Sequence, residues 1–219
     1  MRFRIFPSKE KLHAAFLPLL KQQLTTSGAM MLSGGKTPFS LYNQLASSPF
    51  PIHPQRILFM SDERMVSQES PDSNAGNLKL FLHALDAENR FIPLDTSLSP
   101  TQAAEKFNQA LQPLKNITFG LLGLGTDGHT AGIFTPQLAR QKEGSLALSV
   151  HRPDGLEGVT VTPPLIQRVE KIVLLVLGSA KREILQTLHD HPQTIPAGIL
   201  LASHPSVEIW TDQPVQLDT

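Results

Sequence analysis

Four short runs of nearly unbroken apolar residues punctuate the chain: "AMMLS" (Ala29 to Ser33), "RILFM" (Arg56 to Met60), "ITFGLLGL" (Ile117 to Leu124) and "KIVLLVLG" (Lys171 to Gly178). Continuous rather than alternating apolarity is how a strand covered on both faces of a parallel sheet reads. Helical patterns lie between these runs. Ser8 caps a helix through about Thr25, Pro38 opens one through about Ala46, and a third covers Asn77 to Leu85. Pro100 to Leu111 and Ser179 to Leu188 complete the set, with "SAKREILQTL" strongly amphipathic. The alternation predicts an α/β fold in a single domain over residues 1–219: a mostly parallel, Rossmann-like sheet with helices on both faces. "QKEGSLALSVHRPDGLEG" (Gln141 to Gly158) looks like a looser excursion, and Trp210 in "VEIWTD" reads as core or edge packing.

Composition narrows the function classes. Lys plus Arg equals Asp plus Glu at 19 each, so no net field gathers nucleic acid or an anionic membrane. Any anion must be held by a local cluster. With no cysteine there is neither a disulfide nor a thiolate metal site. "MRFRIFPSKEKLH" lacks the apolar segment of a secretory signal and no later run approaches a membrane span, so the expectation is a cytoplasmic enzyme or binding protein.

In doubly wound folds ligands bind outside the carboxyl ends of the strands. The residues just past each run are "SGGKTP" (Ser33 to Pro38), "SDER" (Ser61 to Arg64), "GLGTDGHT" (Gly123 to Thr130) and "GSAKRE" (Gly178 to Glu183). In the first, Gly34 and Gly35 permit a tight turn, with Thr37 as N-cap and Pro38 as first helical residue. Such a turn is either plain punctuation or, with Lys36 beside it, a phosphate site at a helix amino terminus. It is not a nucleotide P-loop, which needs a glycine where Met30 stands. Arg64 can clamp a phosphate bidentately or join Asp62 and Glu63 in a surface ion-pair network. Asn74, in the polar loop "ESPDSNAGN", can reach a polyhydroxylated ligand. Lys181 in the first turn of a helix opposes the helix dipole unless an anion is present.

Gly123 to Gly128 fits the dinucleotide fingerprint G-x-G-x-x-G by letter, but the chemistry fails. Asp127 would repel a pyrophosphate, and Pro136 comes too early for the long helix that the fingerprint requires. What remains is an acid and a histidine two residues apart in a glycine-rich loop containing Gly125. His129 fits a general base oriented by Asp127; the alternative is a histidine that closes the loop by hydrogen bonding. His189, Asp190 and His191 sit at a helix end with no partner cluster, so no metal site is expected, and neither glycine motif calls for a nucleotide cofactor. No G-x-S-x-G elbow is present, which disfavours an acyl-enzyme route.

Taken in order, "SGGKTP", "SDERMV" followed by "PDSN", "GLGTDGHTAGIF", "VTPPLI" and "VLGSAKREIL" resemble the 6-phosphogluconolactonase family, related to glucosamine-6-phosphate deaminases and ribose-5-phosphate isomerase-like proteins. The resemblance spans nearly the whole chain. It implies a cytoplasmic hydrolase of 6-phospho-D-glucono-1,5-lactone, a sugar-phosphate lactone, in the oxidative pentose phosphate pathway. It implies no cofactor or metal and no nucleic-acid or membrane partner, and it leaves the oligomeric state open between monomer and weak dimer. By the resemblance, Gly34 to Thr37 and Lys181 hold the phosphate with Arg64 nearby, His129 is the base and Asp127 its partner. Asp62, Asn74 and Gly125 are further substrate contacts. Lys36 replaces the family's usual serine, and Gly132-Ile133-Phe134 with an additional Thr135 replaces its "SLF". The arginine that often precedes the "V-T-x-T" strand is Gly158 here, which leaves open whether Arg152 supplies that charge. The related deaminases carry a tyrosine after the Asp-Glu pair, where this chain has Arg64; a non-catalytic sugar-phosphate sensor would append a basic DNA-binding segment, and none is spare.

Overall fold

The computed structural model describes residues 1–217. Its centre is a seven-stranded sheet in the order β1-β10-β9-β6-β2-β3-β5, every neighbouring pair parallel. In chain order these are β1 (Arg2–Ile5), β2 (Gly28–Leu32), β3 (Arg56–Met60), β5 (Phe91–Ile92), β6 (Ile117–Leu122), β9 (Ile172–Val176) and β10 (Val207–Thr211). The four apolar runs form the four central strands β9, β6, β2 and β3, while Trp210 lies on β10, inside the edge. Side chains alternate between faces, as a period of two requires. Met30 and Leu32 of β2 point into one core, and Ala29 and Met31 into the other.

The first core is covered by α1 (Lys9–Leu24), α2 (Lys36–Ala46) and α3 (Asn74–Ala84). The second is covered by α4 (Pro100–Leu111), α5 (Pro136–Ala139), α6 (Pro163–Ile166), α7 (Arg182–Asp190) and α8 (Pro196–Leu201). Helices therefore lie on both faces, as expected. The chain builds β2, β3 and β5 outward in one direction, then returns to lay β6, β9 and β10 on the other side of β2. The crevice between the carboxyl ends of β2 and β6 is the topological switch point, where such sheets bind ligands.

Several local expectations need correction. Residues 141–158 are not a loose excursion: β7 (Ala147–His151) and β8 (Glu157–Val161) form an antiparallel hairpin, joined by β4 (Asp62–Arg64) in a second, three-stranded sheet. Thr37 is not the N-cap of α2. Gly35 is, at φ +102°, so the glycine makes the turn and Lys36 is already helical. Helix α3 starts at Asn74 rather than Asn77, because the Ser73 hydroxyl accepts the Gly76 N–H at 2.9 Å. Beyond β9 a 3₁₀ turn over Ser179–Lys181 precedes α7, which starts only at Arg182.

Candidate active site

The four polar strand ends meet in one cleft of about 390 Å³ over the switch point. Its floor is the turn after β2. At φ +102° and ψ 164°, Gly35 occupies backbone space essentially reserved for glycine, and a Cβ there would meet nothing within 4 Å. No side chain caps α2, and the residues that begin it line the cleft. Gly34 has a different reason to be glycine: a Cβ there would collide with the Asn74 amide.

Asn74 is held from below. The Glu63 carboxylate is almost fully buried and accepts the backbone N–H groups of Arg64 at 2.9 Å, Asn74 at 2.7 Å and Ala75 at 2.6 Å. Burial pushes the Glu63 carboxyl upward, against the three N–H donors that pull it down. Glu63 thus pins the start of α3 to β4 and does not face the cleft. Asn74 Nδ2 in turn donates to the Asp62 carbonyl at 2.8 Å, and Arg64 Nη1 donates to the Asp72 carbonyl at 2.9 Å. Asp62, Arg64 and Asn74 all line the cleft.

The opposite wall is the loop after β6. Gly125 N–H donates to the His129 carbonyl at 2.8 Å and Gly128 N–H to the Gly125 carbonyl at 3.1 Å, closing a tight loop. A Cβ at Gly125 would strike both the His129 ring and the Asp127 carboxylate, so only glycine lets them sit together. Asp127 Oδ1 lies 2.5 Å from His129 Nδ1 and also accepts the His129 backbone N–H at 3.2 Å. Partial burial raises the Asp127 carboxyl, but the hydrogen bond from the ring and its charge outweigh this and hold it below the ordinary carboxylate range. With Nδ1–H committed to Asp127, the tautomer leaves the Nε2 lone pair free for a proton. His129 lines the cleft while Asp127 stands behind it. Lys181 reaches across from the third wall, its Nζ donating to the Leu124 carbonyl at 2.6 Å, and partial burial lowers its pKa against the pull of Asp127.

The sequence matches a known family. The model described as glucosamine-6-phosphate isomerases/6-phosphogluconolactonase matches residues 9–210. The chain belongs to that family. Among its relatives, the 6-phosphogluconolactonase of Synechocystis is 35% identical over 184 residues, covering 78% of this chain and 76% of the relative. That of Aggregatibacter actinomycetemcomitans is 28% identical and covers 97% of both chains. The solved structure of a monomeric glucosamine-6-phosphate deaminase superposes with TM-score 0.82 over 97% of this chain and 98% of its own, at 18% identity, which speaks for the shared fold alone.

Within this member of the isomerase/lactonase family, Gly34, Gly35, Lys36, Thr37, Asp62, Arg64, Asn74, Gly125, His129 and Lys181 all line the one cleft. Arg152, which sequence reasoning left open, lines it too and is buried. The signal was local: "RPDG" after an alternating stretch marks a hairpin turn, which sets Arg152 at a strand end. His189, Asp190 and His191 lie outside the cleft, and no group of acids and histidines suited to a metal occurs among the described residues.

Proposed function

We propose that the protein hydrolyses 6-phospho-D-glucono-1,5-lactone to 6-phosphogluconate, with His129 as general base. The observation that carries this reading is the Asp127–His129 pair facing, across one cleft, an uncapped helix start behind a glycine turn. The substrate has a matching pair of ends. Its phosphate fits the Gly35 turn and the α2 amino terminus, with Arg64 and Lys181 as cations. Its lactone carbonyl then lies toward His129. Nε2 takes a proton from water as the oxygen attacks C1, giving a tetrahedral oxyanion. Collapse breaks the bond from C1 to the ring oxygen, which recovers the proton from His129 and leaves as the C5 hydroxyl. The product carboxyl ionises.

Names of the relatives support this reading over deamination, as does Arg64 after the Asp-Glu pair. With this reading go the oxidative pentose phosphate pathway and a cytoplasmic location. No helix among the described residues is long and apolar enough to cross a membrane. The test is acid release from freshly generated lactone with spontaneous opening subtracted, beside ammonia release from glucosamine 6-phosphate. Catalysed lactone opening without ammonia is expected; ammonia release with no lactone turnover would reverse the assignment.

A further inference from the structure

The phosphate end of the cleft accounts for Lys36, Arg64 and Lys181, but not for a fourth cation. Arg152 is only 8% exposed, and its guanidinium is oriented from one side. Nε and Nη2 are bound to the Asp154 carboxylate, at 3.1 and 2.9 Å to Oδ2. Among the described residues Nη1 makes no hydrogen bond of its own and stands 3.8 Å from the Asp62 carboxylate, a longer ion pair across the cleft lining. A buried arginine neutralised at one edge and presenting donors at the other is poised to receive an anion.

Its position tells which anion. The guanidinium carbon lies 5.2 Å from the Phe134 ring centroid, and the His129 ring packs 4.7 Å from the same centroid. Arg152 therefore shares the Phe134 ring with the base, while its stem lies over Gly158, the register partner of Arg64. Gly158, on the paired strand, makes room for it: a Cβ there would meet Arg152 Cδ at 3.1 Å and Cγ at 3.4 Å. The arginine stem crosses β8 over the space that a side chain at Gly158 would fill.

We propose that Arg152 receives the negative charge that forms at C1, first the oxyanion of the attacked carbonyl and then the product carboxylate. This rests on the lactone reading, in which the substrate is neutral at C1 and charge appears there only during reaction. A donor aimed at that charge acts on the transition state more than on bound lactone.

Calorimetry compares binding of 6-phosphogluconate with that of glucitol 6-phosphate, which has the same phosphate but an uncharged C1. Arg152→Met keeps the apolar stem. It should weaken 6-phosphogluconate by about 10–100-fold, the effect of losing a hydrogen bond to a charged group, and leave glucitol 6-phosphate nearly unchanged. For lactone turnover kcat should fall while KM stays within a few-fold. Arg152→Ala combined with Gly158→Arg, which returns a guanidinium from the adjacent strand, should recover the preference for the carboxylate. Equal losses for both ligands, or an unchanged preference in Arg152→Met, would overturn the proposal. Failure of the wild-type protein to open the lactone would instead remove the functional reading on which it rests.

Discussion

Replacing Gly35 with alanine probes the anion site through backbone geometry alone. The position is open, with nothing within 4 Å of an added Cβ, so no clash enters the calculation. What remains is the conformational cost of a β-carbon at φ +102° and ψ 164°, about 1–3 kcal/mol. For a chain of this length each kcal/mol corresponds to roughly 2–4 °C in melting temperature, so a fall of about 2–12 °C is expected. The loop can relieve the strain by rotating the peptide units around residue 35. That turns the N–H groups away from the cleft, so inorganic phosphate should bind more weakly as well. Gly144→Ala is the control: its φ is +119°, it lies outside the cleft, and its added Cβ meets only the end of Gln141. Thermal melting with and without phosphate separates the effects. Both variants should melt earlier, but only Gly35→Ala should lose phosphate stabilisation. Undiminished phosphate binding in a destabilised Gly35→Ala protein would refute the anion site.

Two further outcomes follow from single residues. Arg64→Ala should raise KM by about 10–100-fold with kcat within a few-fold, because a phosphate held equally in ground and transition states appears in KM; loss of kcat at unchanged KM would move Arg64 into the chemistry. His204 is buried and neutral, with Nε2 donating to the Val169 carbonyl at 2.8 Å and Nδ1 accepting the Ser206 N–H at 3.2 Å; burial pushes its pKa below the ordinary 6.5 despite those contacts. The unfolded chain takes up this proton first, so its contribution is complete above about pH 6.5 and is lost as pH falls toward the lower folded-state value. Melting curves should show His204→Asn closing the gap to wild type on acidification, and a gap independent of pH would contradict this.

The sequence carried most of the central sheet because β2, β3, β6 and β9 are covered on both faces and need no partner-specific pattern. Their strand ends were legible for the same reason: glycines, acids and His129 follow each apolar run directly. Elements defined by partners were not. Strand β5 is two residues long and exists only as a ladder beside β3. Helix α3 begins early because Ser73 and Glu63, the latter on another element, satisfy its first N–H groups. Arg152 was hardest: "RPDG" marks the turn, but the residue's place in the cleft depends on β7 pairing with β8 and on a side chain missing at Gly158.

The central claim, that His129 moves the proton in lactone opening, is tested most directly by the specific activity of His129→Ala together with its melting temperature. Phosphate contacts stay intact, so KM should remain near wild type, and kcat should drop by about 10²–10⁴-fold, the usual contribution of a positioned general base. The protein should still fold, because the loop is also closed by the bond from Gly125 N–H to the carbonyl of residue 129, which alanine retains. A folded His129→Ala protein with full kcat would leave the histidine as a loop closure and contradict the mechanism.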